Sequence, residues 1–169
     1  MKIRDVPIDS GRDEEYNTPE REVTAVKTKT LKWILGIAIC AVTLLIWSMS
    51  LQAADVSTQQ SDAIAAPMAE QVTAPGNWLN FFSILVRKSA HFLEFALLGL
   101  LWGAFSRLKK FPLPWLYGLA VAITDETIQH FVPGRSPSVG DVALDYLGYL
   151  FGFLLMVLTI FLIRKKCKN

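Results

Sequence analysis

Ile123-Thr124-Asp125-Glu126-Thr127-Ile128-Gln129-His130-Phe131-Val132-Pro133-Gly134-Arg135-Ser136-Pro137-Ser138-Val139-Gly140-Asp141 sets three acids, an arginine and a histidine between two apolar runs. Flanks of that kind belong in a bilayer, where a charged side chain at the centre of a helix costs about 2.5 to 3.5 kcal/mol even on the lenient insertion scale. Such a segment needs partners. Upstream, Arg87, Lys88, His91 and Glu94 open another apolar run, and downstream Asp145 lies one turn beyond Asp141. The three clusters are expected at one face of a small helical bundle.

The whole chain, 169 residues and 52% hydrophobic with 19% charged, is too apolar and too unevenly charged for an ordinary soluble domain. Its net charge of +2 hides a split, because seven bases and seven acids precede Trp33 and stretches of about 20 nearly uncharged residues follow. The expected fold is all-α: a four-transmembrane-helix bundle over residues 31–163 behind a disordered cytoplasmic tail, residues 1–30. Spans are placed at 31–51, 87–105, 115–132 and 142–163. Residues 52–77, rich in Ala, Ser, Thr and Gln and without Lys or Arg, are expected to form a mobile extracellular loop. Residues 78–86 are expected along the interface, and 164–169 as a basic cytoplasmic tail. A cleaved signal peptide fits less well, since the polar lead and the first apolar core are both long for one. Cys40 and Cys167 fall in segments expected at different depths, so no disulfide framework is expected.

Orientation follows from the bases. Fourteen of the 17 Lys and Arg residues fall in the tail, the 106–114 turn and the C-terminal end, which places both termini in the cytoplasm. The exceptions, Arg87, Lys88 and Arg135, all sit beside the acids. Helical periodicity puts Arg87, His91 and Glu94 on one stripe, Gly118, Ala122, Asp125 and Gln129 on a second, and Asp141, Asp145, Gly148 and Gly152 on a third. Gly99-x-x-x-Gly103 and Gly148-x-x-x-Gly152 have the spacing that lets membrane helices approach closely.

The motifs Arg87-Lys88-Ser89-Ala90-His91-Phe92-Leu93-Glu94-Phe95, then Leu98-Gly99; Asp125-Glu126-x-x-Gln129-x-Phe131-x-Pro133-Gly134-Arg135; and Asp141-Val142-x-x-Asp145-x-x-Gly148-x-x-x-Gly152 occur in that order. Together with Ile46 to Leu51, they resemble the VanZ-like family of bacterial membrane proteins, from about Leu31 to Ile163. Asp145 stands where many members carry Asn. The resemblance implies a multi-pass envelope protein in the bacterial cell membrane, with teicoplanin-type glycopeptide resistance as the family's namesake property.

The binding set expected from these readings is Arg87, Lys88, His91, Glu94, Asp125, Glu126, Gln129, Arg135, Asp141 and Asp145. Asp125 and Glu126, about 100° apart on a helix, cannot face the same partner, and Asp125 is expected at the centre. Asp141 has a second reading as part of a capping box with Ser138, and His130 as a solvated terminal histidine. The expected ligand is a membrane lipid headgroup or a lipid-linked cell-wall precursor, with effects on glycopeptide access; no nucleic acid partner and no cofactor are expected. An intramembrane enzyme using Glu94, His91 or Asp125 as acid or base is the alternative. A metal is disfavoured, because His91-x-x-Glu94 and Glu126-x-x-x-His130 lack the di-iron spacing and three nearby cations compete for the acids.

Overall fold

The computed structural model describes residues 19–73, 76–108 and 113–166, and these hold five helices and no strand. They are α1 (Pro19–Ser50), α2 (Ala54–Ala69), α3 (Trp78–Leu108), α4 (Pro114–His130) and α5 (Val139–Lys166). The chain is therefore all-α. Two stretches, Val26–Ser50 of α1 and Val139–Lys166 of α5, are long and apolar enough to cross a membrane, and only 22% and 17% of their most apolar windows are buried inside the protein. The outward side chains of α5, among them Leu147, Phe151, Leu154, Leu158 and Phe161, form a continuous apolar surface that water would not solvate well. This is a membrane-associated helical protein.

Helix α3 is the hub: it packs most extensively on α5 and also contacts α1, α2 and α4. The core between these helices is Ile39 and Ile46 from α1, Phe95, Leu98 and Trp102 from α3, Val121 and Ala122 from α4, and Tyr149 from α5. What lets α3 and α5 approach so closely is glycine. A methyl group on Gly99 would collide with the Tyr149 carbonyl, one on Gly152 with the Ala96 carbonyl, and one on Gly148 with the Phe92 carbonyl. Both small-xxx-small motifs thus lie in the α3–α5 seam, their glycines against non-glycine residues of the opposite helix. Tyr149 lies fully buried beside it; its ring occupies the space where Gly118 has no side chain, and its hydroxyl donates to the Pro114 carbonyl (2.7 Å).

Three expectations are corrected. Residues 54–69 form a helix, α2, not a mobile loop. Ala54, Thr58, Ser61 and Ala65 recur at helical spacing, and Ser61 and Ala65 are buried in a helix that packs on α3. Small side chains let this helix dock by close backbone approach, with little apolar side-chain area, and its alanines favour helix intrinsically. Residues 78–86 are the first turns of one continuous α3, 31 residues or about 46 Å long, and not a separate interfacial segment. The tail expected to be disordered is helical from Pro19, because α1 runs unbroken into the apolar span. Residues 1–18, 74–75, 109–112 and 167–169, Cys167 among them, lie outside the described residues.

Candidate functional site

At the end of the bundle where α1 ends and α5 begins, α3, α4, α5 and the α4–α5 turn enclose a cavity of about 310 Å³. The turn reverses at Gly134, whose φ of +76° is a backbone conformation that glycine adopts without strain. Arg87, Lys88 and His91 reach the cavity from α3, Glu126 and Gln129 from α4, Arg135 from the turn, and Asp141 and Asp145 from α5. Eight of the ten residues expected to bind therefore line one space.

The other two sit elsewhere. Asp125 is fully buried beneath the cavity, where Ser50 and Gln129 donate to its two oxygens (2.5 and 2.9 Å). Glu94 is half-buried and is not part of the cavity wall. At 1.5 Å per residue it lies about 4.5 Å past His91 along α3, beyond the depth at which the cavity ends. The adjacent acids do face different partners: Glu126, also buried, accepts from the Ser138 backbone N–H (2.9 Å).

That contact settles the helix start. Ser138 caps α5, its hydroxyl oxygen accepting from the Gly140 N–H (3.1 Å). In a capping box Asp141 would bond back to the Ser138 N–H, but Glu126 of α4 takes that donor and Asp141 pairs with Lys88 instead. His130 is exposed, its ring against Phe131.

The cations are held by neutral partners or at the rim. Arg87 donates from Nη2 to the Thr58 hydroxyl of α2 (2.8 Å), and Arg135 donates from Nη1 to the Gln129 side-chain oxygen (3.3 Å). The Nε of each guanidinium is buried and has no hydrogen-bond partner among the described residues. Burial, and next the like charge of Arg87, lower the pKa of Arg135 from its ordinary value, with Asp125 and Glu126 opposing. Two arginines that repel one another and keep spare donors favour an anion between them.

Deeper in, His91 lies between Asp125 and Asp145, its Nδ1 3.9 Å from the first and 3.8 Å from the second. Asp145 is 1% exposed and neither of its oxygens has a hydrogen-bond partner among the described residues.

Sequence reasoning missed Ser50 and Thr58 as members of this network. Ser50 stands at the end of an apolar span, and an intramembrane hydroxyl at a helix end is itself a signal, since such groups bond across helices. Its neighbour Ser48 bonds only its own helix, at the Leu45 carbonyl. Thr58 was hidden because its segment was not expected to be ordered.

Neither a curated protein nor a solved structure matches the chain. The family model described as VanZ/LLP1 matches residues 33–162, a stretch that contains every side chain of the cavity, and the chain belongs to that family.

Proposed function

We propose that this protein spans the membrane four times, by α1, α3, α4 and α5, with both termini in the cytoplasm and the cavity open to the outer leaflet. The distribution of bases supports the orientation: Arg107 and the Arg164-Lys165-Lys166 end lie away from the cavity, and Arg87, Lys88 and Arg135 surround it. In this arrangement α2 is an outer-surface helix resting on α3, and it buttresses Arg87 through Thr58.

The cavity binds the phosphate-bearing headgroup of an envelope lipid or a lipid-linked cell-wall precursor, and binding there alters glycopeptide susceptibility. One observation carries this reading: two half-buried arginines line one cavity, and the Nε–H of each is buried without a hydrogen-bond partner among the described residues. A charge-assisted hydrogen bond is worth about 1.5 to 3 kcal/mol, roughly 10- to 100-fold in affinity. Arg87→Gln and Arg135→Gln should each weaken binding of a phosphate-headgroup lipid to the purified protein by that factor. Each should also remove any teicoplanin tolerance that expression confers, at unchanged protein level. Wild-type lipid affinity in both variants rules the reading out.

The second reading, an intramembrane enzyme on a lipid-linked substrate, draws on His91 standing between two carboxylates. Mass spectrometry of envelope lipids incubated with purified protein distinguishes the two: covalent turnover lost in Asp125→Asn supports the enzyme, and unchanged lipids support binding.

A further inference from the structure

The geometry points to a divalent transition-metal site, for an ion such as Zn²⁺ or Mn²⁺, formed by His91, Asp125 and Asp145 at the floor of the cavity. One ligand atom from each residue lies within 4.8 Å of the other two, and three helices, α3, α4 and α5, contribute one ligand each.

The spacing separates a shared cation from a shared proton. An N–H···O hydrogen bond needs about 2.7 to 3.2 Å between heavy atoms. His91 Nδ1 stands 3.8 and 3.9 Å from the two carboxylates, outside that range on both sides. A point equidistant from three atoms so spaced lies about 2.2 to 2.5 Å from each, and Zn–N and Zn–O bonds are about 2.0 to 2.2 Å. Movements of a few tenths of an ångström would close the site.

The surroundings fit as well. Asp145 is buried, and neither of its oxygens nor the buried Nδ1 of His91 beside it has a hydrogen-bond partner among the described residues. Two ionised carboxylates at this depth need a positive charge. Among the described residues no Lys or Arg pairs with either acid: Arg87 donates to Thr58, Lys88 pairs with Asp141 and Arg135 donates to Gln129, so Arg135 reaches Asp125 only through its longer-range field. No cation contacts these acids, which weakens the competition that disfavours a metal on sequence grounds, and the ligand set is not the one that spacing suggested, since Glu94, Glu126 and His130 take no part. Asp125 is oriented through its other contacts, with Ser50 on one oxygen and Gln129 on the other, as second partners usually orient a metal-binding carboxylate. One imidazole with two carboxylates suits zinc or manganese, and a divalent ion brings the trio to neutrality with its histidine uncharged. His91 and Asp145 face the cavity, so the open coordination positions are accessible from it to an oxygen ligand, water or an anionic phosphate oxygen.

The test uses full-length protein purified in detergent, dialysed with Mn²⁺ or Zn²⁺ and then against metal-free buffer, with bound metal measured by mass spectrometry. One ion per chain is expected in the wild type and in His130→Gln, and background levels in Asp145→Asn and His91→Gln. Pulsed electron paramagnetic resonance of the Mn²⁺-loaded wild type should show coupling to an imidazole nitrogen, a readout that does not depend on the variants folding. Background metal in a monodisperse wild-type preparation overturns the site, as does stoichiometric metal without nitrogen coupling or with full retention in Asp145→Asn. The rim variants Arg87→Gln and Arg135→Gln should keep the ion, so failure of the lipid-binding reading and failure of the metal site give different results.

Discussion

Helices α3 and α5 run together along one contact that changes character halfway. In the seam, Gly99 meets the Tyr149 backbone, Gly148 that of Phe92 and Gly152 that of Ala96, with no room for a methyl group. Within one turn of Gly148 and Phe92, at Asp145 and His91, the same two helices hold a cavity and buried polar atoms that have no partner among the described residues. In a bilayer, apolar side chains gain little by leaving lipid for protein, so close backbone packing must hold the helices together. The difference between the two halves teaches where stability and chemistry reside: the seam fixes the crossing, and that rigidity lets the polar half keep unsatisfied groups.

The sharpest way to break this division is to wedge the seam. Gly152→Ala and Gly99→Ala each put a methyl group against a backbone carbonyl, which cannot rotate aside as a side chain would. Overpacking typically costs about 1 to 3 kcal/mol, and the absence of a flexible neighbour puts these sites at or above the upper end. Thermal unfolding in detergent should show a large drop in both variants. Near-wild-type stability would mean that the seam does not hold the helices together.

A smaller effect is expected where the seam meets α4. Tyr149→Phe keeps the ring over Gly118 and removes only the bond to the Pro114 carbonyl. Loss of one neutral hydrogen bond is worth about 1 kcal/mol, so a modest fall in unfolding temperature should leave lipid binding at the distant rim unchanged. A change in rim affinity would show that the two halves are coupled and not merely adjacent.

Much of this organisation was legible in the residues. The polar stripes were visible because an ionisable side chain in an apolar run is rare enough to stand out, and the small-xxx-small motifs because their spacing has one common physical use. Which acid meets which base was not legible. Arg87, His91 and Glu94 share a helical stripe, yet Arg87 turns to α2, His91 to two aspartates, and Glu94 falls below the cavity, because periodicity gives the face and says nothing of depth or of what lies opposite. Helix α2 is hard to read for a different reason: its apolar side-chain area is small, and Ala, Ser and Thr at helical spacing bury backbone surface that composition does not register. The trio of His91, Asp125 and Asp145 was hidden because its members are 34 and 20 residues apart in order along the chain and on three separate helices.

The smallest predicted effect lies at the mouth of the cavity. Lys88 pairs with Asp141, and their side chains are 52% and 32% exposed. A solvated pair of that kind contributes about 0 to 1 kcal/mol, whereas breaking a buried pair leaves a stranded charge and costs about 3 to 5 kcal/mol. Lys88→Gln should therefore shift the unfolding free energy by less than about 0.5 kcal/mol, and a double-mutant cycle with Asp141→Asn should return a coupling of the same size. The measurement also gauges depth. Lys88 lies one residue from Arg87 and one turn from His91, so a small coupling places the cavity mouth in the hydrated headgroup region, where an anionic ligand can enter. A coupling several times larger would sink the mouth into hydrocarbon and close the route that the proposed ligand needs.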